Sequence, residues 1–318
     1  MMKMSKKAVT LNLTGGLGNQ LFQLAAAMAL AGNDKVYVEK SIGLPRKQPD
    51  GSSDLESFEL PSNIYFGSNR DAPRIVKKFL NVSLRLGISS SRNRNKFGSK
   101  PINWVSSLGL SIYLRAWRKI VTPRGIGYAP INLPKRSFLV GYFQSYKWSD
   151  EVYAELMSIK LRMLGLEFQR FVELAKVEKP ILVHVRLGDY VSIDTFGIPS
   201  KSYYEGALIY ILKNSDLNNI WLFSNEPEKA ANLLPEWAQA KIRIIPDSSL
   251  TPAETLELMR HCHAFVIANS TFSWWGAYLS YNRDSLKVGP TPWFKGEPSP
   301  KDIIPESWKT FQAFEELT

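Results

Sequence analysis

The chain has 318 residues, 44% hydrophobic and 22% charged, which suits a globular protein of about two domains. Its 20 glycines and 19 prolines are too few for a collagen-like or low-complexity chain, and its apolar content is too high for a wholly disordered one. The net charge of +11 is uneven: residues 70–124 hold 13 Lys/Arg and one acid, Asp71, a net +12, while the rest holds 27 basic and 28 acidic residues.

In chain order, Val9, Leu11 and Leu13 alternate with polar residues, so 8–13 reads as a strand rather than a signal-peptide core. A Gly-rich turn (15–18), an Ala-rich helix (19–31) and a short strand (35–39) complete the start of a βαβ unit. Residues 45–65 are rich in Pro, Ser and Asp and read as loop; the basic insert 70–124 follows. A strand at 138–143 and a helix at 150–164 lead into the second half. There, strands at 181–187, 220–223, 241–245, 264–268 and 286–289 alternate with helices at 202–213, 228–234, 252–262 and 272–280. Apolar strands alternating with helices indicate a parallel sheet covered on both faces. The expected organisation is residues 1–150 as one Rossmann-like domain, 151–300 as a second, and 301–318 as a C-terminal helix.

The longest helix-like apolar stretch, 21–31, is too short for a bilayer and contains Gln23. One cysteine, Cys262, excludes an intrachain disulfide and fits a reducing compartment. Asn81-Val-Ser and Asn269-Ser-Thr match the glycosylation pattern, which carries little weight without a secretory signal. A cytoplasmic protein is expected.

Three segments carry chemistry. In Gly15-Gly16-Leu17-Gly18-Asn19-Gln20, glycines between strand and helix let a phosphate or sugar approach the helix N-terminus; a tight turn without ligand is the alternative. His184-Val185-Arg186-Leu187-Gly188-Asp189-Tyr190 ends a buried strand, where open α/β sheets bind ligands. His184 and Arg186 alternate and share one strand face. Arg186 is a donor fork suited to pyrophosphate, and Asp189 can orient it or cap the turn. A structural His and an Arg–Asp pair are the bland alternative. The third segment, Asn269-Ser270-Thr271-Phe272-Ser273-Trp274-Trp275-Gly276, sets small polar side chains at a helix start, an anion site or an N-cap cluster over a Trp core. Ser224-Asn225 and Asp247 follow strands and can cap helices or touch a nucleotide. His261-Cys262-His263 offers too few ligands for structural zinc. No Asp-x-Asp pair occurs in the chain, so a metal-bridged nucleotide-sugar site of that kind is not expected.

Taken in order, Gly15-Gly-Leu-Gly-Asn-Gln-Leu-Phe-Gln23, Gly141-Tyr-Phe-Gln-Ser145, the His184–Tyr190 heptad, and Leu258-Met-Arg-His-Cys-His263 running into Asn269–Gly276 resemble the α-1,2-fucosyltransferases of glycosyltransferase family 11. The resemblance spans residues 15–276. It implies a GT-B fold, two Rossmann-like doubly wound domains facing a cleft. It also implies inverting, metal-independent transfer of L-fucose from GDP-β-L-fucose to the 2-hydroxyl of a sugar, usually galactose. No cofactor is implied beyond the GDP-sugar donor. The position of Arg186 is that of the arginine on the donor pyrophosphate, with His184 and Asp189 beside it. By the same resemblance the second domain holds GDP and the first mainly shapes the acceptor side; the candidate donor contacts are Gly16, Gly18, Asn19, Gln20, Ser224, Asn225, Asp247, Asn269, Ser270, Thr271, Phe272, Ser273 and Trp274, and Gln144 lies on the acceptor side. Leu187 stands where many members have a second arginine, which opens the alternative of another GDP-6-deoxyhexose donor.

The acceptor is expected to be a galactose-containing oligosaccharide or lipid-linked glycan. Within the basic insert, Ile75, Phe79, Val82 and Leu86 fall at helical spacing among Arg74, Lys77, Lys78 and Arg85, a pattern suited to the inner face of an anionic membrane or to a solvated helix. A non-enzymatic anionic-surface binder is the rival that follows from it. A nicotinamide oxidoreductase is the rival that follows from Gly16, Gly18 and Glu39. Positive charge confined to one insert argues against a nucleic-acid partner.

Overall fold

The computed structural model describes residues 8–39, 53–67, 120–121, 128, 136–139, 141–190, 196–296 and 298–315. It divides into two compact units, Met1–Glu56 with Leu60–Ile159, and Ser57–Glu59 with Lys160–Thr318. The division at Ile159 lies beyond the boundary expected at 150.

The first unit opens with β1 (Ala8–Asn12), α1 (Leu17–Ala31) and β2 (Lys35–Glu39). Val9 and Leu11 have no exposed surface, as befits a strand covered on both faces. Gly32, at φ +56°, ends α1 by donating its N–H to the Met28 carbonyl. Then come β3 (Phe58–Glu59), β4 (Ile64–Phe66), β5 (Ile120–Val121), β6 (Arg136–Leu139), α2 (Tyr146–Asp150) and α3 (Tyr153–Ser158). The sheet order is β4-β2-β1-β6-β5, all parallel.

The second unit holds β7 (Lys160–Leu161), α4 (Leu166–Glu178), β8 (Ile181–Val185), α5 (Lys201–Lys213), β9 (Ile220–Ser224) and α6 (Pro227–Ala231). It continues with β10 (Ile242–Ile245), α7 (Pro252–Arg260), β11 (Ala264–Val266), α8 (Thr271–Tyr278), β12 (Lys287–Thr291) and β13 (Lys309–Gln312). β3 pairs antiparallel with β7 and so belongs here. The main sheet runs β10-β9-β8-β11-β12-β13, all parallel. Numbered from β8, that is the Rossmann order 3-2-1-4-5-6. All five residues of β8 are buried, and Val183 and Val185 pack in one core with Ala207, Leu208 and Ile211 of α5. Two Rossmann-like units in one chain are the plan of the GT-B class.

Several expectations are corrected. Residues 45–65 were expected as loop, but β3 and β4 lie within 58–66. The single helix at 150–164 is replaced by α2, α3 and β7, because Val152 departs from helical geometry at φ −131° and Ile159 is extended. α4 was not anticipated. The strand at 138–143 stops at Leu139, before Gly141 (φ +144°) and Phe143 (φ +52°) bend the chain. Within the C-terminal helix expected at 301–318, residues Lys309–Gln312 form strand β13 instead. The open edge of β12 takes Lys309–Gln312 in parallel register, and Phe311 settles over Gly206, whose added Cβ would meet its ring at 3.2 Å. Apart from Ile120 and Val121, the basic insert lies outside the described residues, including the amphipathic pattern at 72–88. No helix among the described residues is long and apolar enough to cross a membrane.

Candidate active site

Strand order reverses between β8 and β11, and the crevice at the C-terminal ends of two such strands is where open α/β sheets bind ligands. β8 ends in His184-Val185, with Arg186 directly after it; β11 runs into Asn269-Ser270 and α8. Two motifs separated by about 80 residues thus meet at one place. The rings of His184 and Phe272 are 6.3 Å apart, and the Tyr190 hydroxyl donates to the Asn269 carbonyl at 3.3 Å. The Asn269 amide donates to the carbonyls of Phe196 (2.8 Å) and Gly197 (3.1 Å), tying the segment after β8 to the start of α8.

His184 is buried, and its Nδ1 has no hydrogen-bond partner among the described residues. Burial first, and the Arg186 charge second, hold its pKa down to about 3, so the imidazole is neutral at physiological pH. Arg186 is half-buried, its guanidinium 5.8 Å from the centre of the Tyr190 ring. A guanidinium is a donor fork of the kind that can bind a phosphate group. Asp189 lies in the single 3-10 turn Gly188–Tyr190; its side chain is outside the described residues.

α8 adds its N-terminus. Ser270 is the N-cap in extended geometry, and its side chain makes no capping bond. The N-terminus of a helix is the kind of place that binds an anion, as in P-loops. Thr271 and Phe272 are half-exposed there, whereas Ser273 is buried and donates to the Ser270 carbonyl at 3.3 Å. Trp274 corrects the expectation of a donor contact. It is fully buried, its Nε1–H donates to the Ile303 carbonyl at 2.6 Å, and its ring stacks on Tyr278 at 4.5 Å. It is a core residue because its one polar atom is already used. Gly276 lets this helix touch α7: an added Cβ would meet the Met259 Cβ at 2.7 Å.

In the first unit, Gly15 (φ +73°) bends the chain, and a Cβ there would meet the Asn19 amide at 2.7 Å. Gly16 is exposed, with open space where a Cβ would go, while Gly18 is buried inside α1. Gln20 is fully buried with both amide ends engaged, donating to the Gly15 carbonyl (2.9 Å) and accepting from Ser53 Oγ (2.6 Å). It holds the turn, which corrects its placing as a donor contact. The Gln144 amide, from beyond β6, donates to Asn19 Oδ1 at 2.9 Å, so the turn and the Gly141–Ser145 motif meet where this sheet also reverses its order.

The smaller features separate. Ser224 ends β9 and accepts from the Glu226 N–H at 3.1 Å. Asn225 Oδ1 accepts from the Leu187 N–H at 3.0 Å, which puts it against the turn after β8. Asp247 is exposed beyond β10, an outer strand two places from β8, about 10 Å away at ordinary strand spacing. His261 and His263 flank a buried Cys262 whose thiol pKa is pushed up by burial. Among the described residues, no group of three His, Cys, Asp or Glu could hold a metal ion.

A model of glycosyl transferase family 11 matches residues 124–310, more than half of the sequence. The chain belongs to that family. It is 24% identical over 310 residues to an Escherichia coli α-1,2-colitosyltransferase, covering 94% of this chain and 97% of that one. It is 26% identical over 313 residues to the Escherichia coli O-antigen biosynthesis glycosyltransferase WbnK, covering 93% and 98%. Among solved structures it is similar to the Bradyrhizobium α-1,6-fucosyltransferase NodZ soaked with GDP-fucose, at 14% identity and a TM-score of 0.46, with 86% of this chain and 92% of that one covered.

Leu187, where the resemblance led to the expectation of a second arginine, has its side chain 6% exposed within the core of the second unit. That face of the turn is apolar packing. Sequence reasoning missed Tyr203 and Tyr204 of α5, whose hydroxyls donate to the Ile267 carbonyl (2.6 Å) and the His184 carbonyl (3.2 Å). Two adjacent tyrosines in a helix otherwise patterned for core gave no cue that their hydroxyls reach two strand ends.

Proposed function

We propose that the protein moves L-fucose from GDP-β-L-fucose to the 2-hydroxyl of a galactose residue in a surface glycan, with inversion and without a metal. The observation that carries this reading is that the strand end bearing Arg186 and the start of α8 lie together at the switch point of the second unit, with His184 beside Phe272 and Tyr190 bonded to Asn269. Cleavage of the sugar–pyrophosphate bond leaves charge on the phosphate as an oxocarbenium-like carbon develops. Arg186 and the N–H groups of residues 271–273 meet that charge, which is the work a metal does elsewhere. Gly16 and Asn19 in the first unit, beside Gln144, serve substrate on their side. Asp189 serves Arg186.

A second reading, another GDP-6-deoxyhexose as donor, is favoured by the colitosyltransferase relative. The O-antigen relative supports an acceptor in surface-glycan assembly; we place that reaction on the cytoplasmic side, and the net +12 of residues 70–124 is the reason to propose contact with anionic lipid there. The test is a screen of GDP-sugars against galactose-containing acceptors by mass spectrometry, with linkage of the product read by NMR, in buffer with and without EDTA. A fucosylated 2-linked product formed equally in EDTA is expected. Transfer of only another deoxysugar would select the second reading, and a strict Mn²⁺ requirement would overturn the metal-free mechanism.

A further inference from the structure

The backbone on both sides of Arg186 is held by side chains that no motif predicted for this purpose. Two residues before it, the His184 carbonyl accepts the Tyr204 hydroxyl at 3.2 Å. One residue after it, the Leu187 N–H donates to Asn225 Oδ1 at 3.0 Å. The next N–H, of Gly188, donates to the Glu226 carboxylate. Gly188 itself has φ +64°, and a Cβ there would meet the Asn225 amide at 2.5 Å, so the turn is closed tightly on the Asn225 side chain. Tyr204 is fully buried, and burial pushes its phenol pKa up, so the hydroxyl stays a donor at any working pH.

β8 ends at Val185, so Arg186 stands one residue beyond the strand, between the two bonded positions. An arginine carries roughly 2 kcal/mol of side-chain entropy, and an unfixed backbone adds to what must be ordered when a phosphate binds. Bonds on either side of the residue settle that backbone before the ligand arrives.

We propose that Tyr204 and Asn225 are positioning residues for Arg186, gripping the chain on either side so that the guanidinium is presented to the donor's second phosphate. This rests on the reading of Arg186 as the pyrophosphate ligand. It moves Asn225 from a donor contact to a support, and it gives Tyr204 a role beyond packing.

The test compares binding of GDP and GMP to the full-length protein, by titration calorimetry, in Tyr204→Phe and Asn225→Ala, alone and combined with Arg186→Ala. Tyr204→Phe keeps the ring and removes one hydroxyl, so the fold is retained; a thermal melt verifies this. Loss of one such bond predicts roughly five- to tenfold weaker GDP binding. GMP, which lacks the second phosphate, is expected to bind within about twofold of wild type, and in the Arg186→Ala background the two substitutions are expected to have no further effect on GDP, the mark of coupled sites. A merely structural role would weaken GDP and GMP alike, or would add to Arg186→Ala, and either result overturns the proposal. Unchanged GDP affinity in Tyr204→Phe and Asn225→Ala overturns it too. If Arg186→Ala alone leaves GDP binding at wild-type strength, the reading of the site itself fails instead.

Discussion

His184 sits at the end of β8 with no exposed room for a proton's charge and Arg186 beside it, which together hold its pKa near 3. In the unfolded chain the same imidazole titrates near pH 6.5. Below that pH the unfolded state takes up a proton that the folded state refuses. The contribution to stability is therefore complete above about pH 6.5 and is lost as the pH falls towards 3. Between pH 7 and pH 5 this one group accounts for about 2 kcal/mol. Urea unfolding at those two pH values is expected to show a larger acid loss in wild type than in His184→Gln, and equal losses would contradict the assignment. Trp274 makes a different prediction. Trp274→Phe strands the Ile303 carbonyl and should cost about 1–3 kcal/mol of stability. GDP affinity, measured well below the melting temperature, should stay within about twofold. A selective loss of GDP binding at unchanged stability would return Trp274 to the donor site.

β13 and α8 show how far local pattern reaches. The alternation of buried strands and helices from β8 to β12 was legible because a parallel strand covered on both faces is a continuous apolar run. The end of the chain was not. Trp308, Phe311 and Phe314 recur every three residues, a helical spacing, but the unpaired edge of β12 is a long-range fact that no local window contains. Deleting residues 309–318 should therefore expose β12 and the hollow over Gly206 and lower the melting temperature of the second unit by several degrees. Unchanged melting would mean that β13 contributes no edge. In the candidate site, Arg186 and the polar start of α8 stand out in the sequence because their residue types are costly or idle anywhere else. Trp274, Gln20 and the two tyrosines of α5 were not, since an indole N–H, an amide or a phenol does not disclose whether its partner is a ligand or a distant carbonyl.

The chain as a unit of function joins a near-neutral pair of Rossmann-like units to a block of positive charge at 70–124. Each sheet reverses its strand order once in a place where motifs converge: β1 with β6 in the first, β8 with β11 in the second. Membership of glycosyl transferase family 11 gives the reaction class, and the second reversal is where we propose that the chemistry takes place. The most direct measurement is turnover of the Arg186→Ala protein with the donor that wild type uses, alongside its GDP affinity and thermal melt. A folded variant with transfer reduced by roughly 100-fold or more is predicted, as for loss of one preorganised charge-stabilising group. Transfer at the wild-type rate would contradict the account at its centre.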